Sequence, residues 1–117
     1  MNIIMTNNPL VLEKLKERGV EFLDTDYLGV LKAVRDRIHL GHGLLTHPLS
    51  GSVKPGETPY KTVIVTGEKG DLDAKALSII EDSIQTCVKL TSGSPKRELS
   101  EKIIADFQLI DYNLIFG

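Results

Sequence analysis

The chain has 117 residues, 41% of them hydrophobic and 26% charged, which suits one domain with a single core and excludes a fibre or a disordered tract. Its formal charge of −2 is spread over intermixed acidic and basic residues without a basic stripe, so no nucleic-acid partner is expected. Cys87 is the only cysteine, which rules out an internal disulfide and a multi-thiolate zinc site.

Residues 2–6 read as a short buried strand. Ile3, Ile4 and Met5 turn polar at Thr6, too short for a signal segment or a membrane span, so a cytoplasmic protein with no membrane contact is expected. Asn8 followed by Pro9 is an N-cap and first-turn proline for a helix that turns Leu12 and Leu15 inward and stops at Gly19. A second strand over 20–24 ends in the acidic turn Asp24-Thr25-Asp26. Apolar positions 27, 28, 31, 34 and 38 then follow helical spacing until Gly41 and Gly43 break it, and a short third strand covers 43–46. Residues 61–66, with Val63, Ile64 and Val65, form the clearest strand. Asp71 or Asp73 caps a helix whose face is Leu77, Ile80, Ile84, Cys87 and Val88, which makes Cys87 a core thiol. Ser94 and Pro95 read as N-cap and first-turn proline of a last helix with Leu99, Ile103, Phe107 and Ile110 inward. Residues 112–116 extend that helix or add an edge strand, and Leu114, Ile115 and Phe116 are expected to pack on their own core or in a homodimer.

These elements predict a single α/β domain over residues 1–117, three-layer-like, with a mainly parallel sheet of about four strands, the fourth antiparallel, and two C-terminal helices. In such sheets ligands collect beyond the carboxyl ends of the strands, where loops and helix N-termini converge. That edge brings together Asn7, Asp24 or Asp26, His47 and the start of the fourth strand at Tyr60 and Lys61, and leaves His42 at the opposite end.

Between strands three and four lies HPLSGSVKPGETPYK, residues 47–61, with three prolines, two glycines and little to bury. Connections this long in compact domains are uncommon and often functional, so the segment is expected to wall the carboxyl edge. Ser50, Ser52 and Lys54, with Thr58 further on, supply hydroxyls and an ammonium for an anion, although the order is not that of a nucleotide phosphate loop. Asn7 is expected to face the cleft, with Asn8 as the cap. His47 is the candidate acid or base, with Ser50 as nucleophile and Asp24 or Asp26 orienting it. The three histidines do not make a metal site, because an extended strand sets His42 roughly 16 Å from His47. No cofactor is expected.

TNNP at 6–9 and HPLSGSVKPGETPYK at 47–61, in a chain of this length, resemble the GrdX family. The resemblance implies a small accessory protein of the glycine, sarcosine and betaine reductase systems, with reductase subunits as partners and a small anionic or zwitterionic ligand in reach. It implies no catalytic residue. The functions left open are a ligand-binding accessory protein, a small enzyme using His47 on a carboxylate- or phosphate-bearing substrate, and a docking adaptor.

Overall fold

The computed structural model describes residues 1–51, 53–93 and 98–117. Its elements run β1 (Ile3–Thr6), α1 (Pro9–Leu15), β2 (Val20–Phe22), α2 (Tyr27–His39), β3 (His42–Leu44), β4 (Thr62–Lys69), α3 (Ala74–Thr91) and α4 (Glu101–Phe116). Local chemistry starts the first three helices. Asn8 Oδ1 accepts from the Leu10 amide ahead of Pro9, Asp26 Oδ1 from Gly29, and Asp73 Oδ1 from Lys75 and Ala76, each answering N–H groups with no partner inside the helix.

The strands assemble in the order β2-β1-β4-β3. β1 and β2 pair in parallel, whereas β4 pairs antiparallel with both β1 and β3. The fourth strand therefore returns antiparallel as expected, but it inserts between β1 and β3 and makes the sheet mixed rather than mainly parallel. Burial gives the physical reason: Val63 and Val65 are fully buried, which a central position provides and an edge does not.

Alternation along the strands feeds two apolar clusters. Met5, Val63 and Val65 join Val30, Leu31, Val34 and Ile38 of α2 and Ile80, Ile84 and Cys87 of α3. Ile4 joins Val11 and Leu15 of α1, with Ile64, Tyr112 and Phe116 packed against them. Residues 112–116 continue α4 as helix, which decides between the two readings of that stretch, and Tyr112 and Phe116 pack on the chain's own core. The Ser94-Pro95 start lies outside the described residues; the observed cap is Ser100, whose Oγ accepts from the Ile103 amide. The expected inward face of α4 is also corrected. Ile103 and Ile110 are exposed, and the buried residue of the helix is Asp111.

Thr6 pairs with Thr62 at one end of the sheet, and His42 with Lys69 at the other. His42 is buried with Nδ1 2.6 Å from the Thr66 carbonyl, far along β4 from His47.

Candidate functional site

The site lies where β1 ends and β4 begins, and a set of buried polar residues builds it. Asn7 Oδ1 accepts from the Lys61 amide at 2.9 Å, and its Nδ2 donates to the carbonyls of Thr25 and Pro59. Asn7 thus ties the end of the 47–61 segment to the acidic turn, with its amide committed to backbone. Asn8, besides capping α1, donates through Nδ2 to Asp111 Oδ2 at 3.0 Å and to the Gln108 carbonyl. Asp111 Oδ2 also accepts from Thr62 Oγ1, its Oδ1 accepts from the Thr62 amide, and Thr6 Oγ1 lies 2.8 Å from Thr62 Oγ1. These three donors fix the Asp111 carboxylate in place and set the rotation of α4 about its axis.

Lys61 is the second charge here. It is only 2% exposed, and its Nζ donates to the Ser50 carbonyl at 3.0 Å and to Ser50 Oγ at 3.2 Å. Among the described residues the ion pairs are Arg35 with Glu81 and Arg37 with Glu21, so Lys61 has no carboxylate within 4.0 Å. Burial pushes its pKa from 10.5 down to about 8, against the opposing pull of the Asp111 charge.

Lys61 and Asp111 line one cavity of about 320 Å³, at the small end of small-molecule sites. The 47–61 segment supplies Ser50, Gly51, Val53, Thr58 and Tyr60 to its wall, and α4 supplies Phe107, Ile110, Asn113 and Leu114. The described residues of the segment therefore wall the cavity across from α4. Gly51, at φ +100, sits so close to this helix that an added Cβ would stand 2.8 Å from Leu114 Cδ2. The Tyr60 hydroxyl accepts from Gln108 Nε2, a second tie between segment and helix. Tyr27 closes the floor, its hydroxyl 3.4 Å from the Pro48 carbonyl; burial above all, then the charges of Cys87 and Asp111, raises its pKa.

Of the residues singled out in the sequence, the structure brings Ser50, Thr58, Tyr60 and Lys61 to this cavity. Asn7 stands behind it as a strut. Asp24 and Asp26 are exposed, and Asp26 is spent on capping α2. His47 is exposed, with Nδ1 accepting from the Leu49 amide, and does not line the cavity. Lys54 is also exposed and off the lining, its amide bonded to Glu57 Oε1. Ser52 lies outside the described residues.

Sequence reasoning missed Asp111, Tyr27 and Asn113. A signal for Asp111 was present: it is one acidic residue inside the apolar run Leu109-Ile110 to Tyr112.

Among the described residues no group of His, Cys, Asp and Glu side chains could hold a metal ion, and no helix is long and apolar enough to cross a membrane. In comparison with known proteins, the family described as GrdX-like protein matches residues 3–117. No curated protein and no solved structure matches the chain.

Proposed function

The chain belongs to the GrdX-like protein family, and from that premise we propose that it is an accessory protein of the amino-acid reductase systems to which the family name points, holding a small anionic or zwitterionic ligand in the Lys61–Asp111 cavity. One observation carries the reading: a lysine 2% exposed, without a carboxylate within reach, opens on a cavity of ligand size. A buried ammonium lacking an ion partner is costly, and an incoming carboxylate or phosphate would relieve that cost. Asp111, on the same lining, would favour ligands that also carry an ammonium. Phosphate, acetyl phosphate, glycine, sarcosine and betaine form the test panel, read by thermal shift.

A ligand at a hundredfold excess over its Kd stabilises the fold by about 2.7 kcal/mol. Lys61→Met should abolish the shift, and Lys54→Ala, off the lining, should leave it intact. No shift with any member of the panel overturns the ligand reading.

A second reading, docking onto reductase subunits, is favoured by a different observation. Ile103, Ile110 and Leu114, one face of α4 by helical spacing, leave an exposed apolar flank that adjoins the 47–61 segment at Ile110 and Leu114. Pull-down with reductase subunits tests it, and sedimentation of the free chain distinguishes such docking from a homodimer through the same flank.

A further inference from the structure

The anion reading uses Lys61 as a charge, yet its surroundings suit it equally as an amine. Its Nζ is held by a carbonyl at 3.0 Å and a hydroxyl at 3.2 Å, both from Ser50. Neither partner requires a cation. A carbonyl accepts an N–H from an amine as from an ammonium, and a hydroxyl can turn to donate into the amine lone pair. A lysine paired to a carboxylate would be locked in its charged form; Lys61 is not so paired. Beyond Nζ, the cavity wall is mostly carbon, formed by Val53, Phe107, Ile110 and Leu114, and among the described residues Lys61 is the only cation on the lining.

We propose that the Lys61 amine forms a reversible imine with a small uncharged aldehyde whose apolar body rests on Val53, Phe107, Ile110 and Leu114. The Nζ lone pair attacks the carbonyl carbon, the carbonyl π electrons move to oxygen, and one Nζ proton passes to that oxygen. The resulting carbinolamine loses its hydroxyl together with the second Nζ proton as one molecule of water, leaving a neutral C=N bond at Nζ that then takes up a proton from solvent. The protonated imine is a cation, and the Asp111 carboxylate on the same lining, fixed by Thr62 and Asn8, favours it electrostatically. The depression of the Lys61 pKa to about 8 adds a free-amine fraction near neutrality that an ordinary lysine lacks. An ammonium for anions and an amine for aldehydes are two protonation states of one group, so the two ligand classes should compete. The inference rests on the reading that the cavity admits small ligands at Lys61, but not on their being anions.

The test is a competition among lysines inside the intact wild-type chain. The protein is treated with isobutyraldehyde and cyanoborohydride at pH 7.5, where the hydride donor traps any imine as a stable secondary amine. Peptide mapping by mass spectrometry then gives the rate at each lysine. Lys61 should be alkylated at least about tenfold faster than exposed Lys54 despite its burial, since free-amine content rises tenfold for each unit by which a pKa falls. Its rate should level off above pH 8. Labelling of Lys54 at an equal or greater rate overturns the imine. If phosphate or glycine still shifts the melting point in that case, the anion reading survives alone; if neither probe engages Lys61, both fall.

Discussion

The two long C-terminal helices are attached to the domain by different physics. α3 lays Ala76, Ile80, Ile84 and Cys87 into the larger core cluster, with Ile80 and Cys87 fully buried. α4 buries one residue, Asp111, and leaves Ile103, Leu109, Ile110 and Leu114 exposed, with only Tyr112 and Phe116 packed against the smaller cluster. Carbon holds α3, and a hydrogen-bonded carboxylate holds α4. A helix seated by a directional contact leaves room beside it, and the cavity lies in that room, between α4 and the 47–61 segment.

The strongest way to break this comparison is to remove each anchor in turn. Asp111→Ala should cost about 3–5 kcal/mol in urea unfolding, because Thr62 and Asn8 lose a buried acceptor and Lys61 loses its nearby negative charge. Ile80→Ala, which opens a hole in the α3 interface, should cost about 3 kcal/mol. An Asp111→Ala effect below about 1 kcal/mol would show that α4 is held by Tyr112 and Phe116 instead.

A smaller effect concerns Lys61 and pH. Its folded pKa, about 8, lies below its ordinary 10.5, so between these values the unfolded chain binds more protons and stability rises with pH. The cost of carrying this ammonium is fully present below pH 8 and is relieved on the alkaline side. Cys87 acts in the opposite sense. Burial first, and then the Asp26 charge, raises its thiol from 9.0 to about 11, so its contribution is present below pH 9 and lost as pH rises toward 11. Tyr27, raised above its ordinary 10.0, adds a further loss beyond pH 10. The clean window for Lys61 is thus pH 8 to 9. There the wild type should gain about 1 kcal/mol relative to Lys61→Met, measured by urea unfolding at each pH. Parallel curves for the two proteins would mean that Lys61 keeps an ordinary pKa.

The smallest effect on stability sharpens the contrast most. Ile103→Ser, on the exposed flank of α4 and off the cavity lining, should change stability by less than about 0.5 kcal/mol while weakening capture of reductase subunits. A loss of stability comparable with that of Ile80→Ala would mean that the flank is core rather than surface.

What the sequence determined alone was what short-range chemistry decides. Asn8 caps α1 and Asp73 caps α3 through amides two or three residues away, so the first was legible as a local pattern and the second was one of the two candidates, Asp71 or Asp73; Asp26 caps α2 by the same chemistry but was read as a cleft residue. The apolar spacing of α2 and α3, and the burial of Cys87, follow from a period of 3.6 residues that needs no knowledge of the neighbours, although Val88, expected on the inner face of α3, is exposed. The gathering of Asn7, the 24–26 turn and Lys61 at one sheet edge followed from strand direction alone. Tertiary structure decided the rest. β4 sits between β1 and β3 because its alternate side chains serve both apolar clusters, a fact about neighbours rather than about residues 62–69 themselves. α4 turns Asp111 inward, against the apolar period of its own sequence, because Thr62, 49 residues away, and Asn8, 103 away, offer three donors to that carboxylate. The ammonium at the cavity is Lys61 rather than Lys54 for the same reason: the fold buries one and leaves the other in water, and no local pattern in a segment of prolines, glycines and serines distinguishes them.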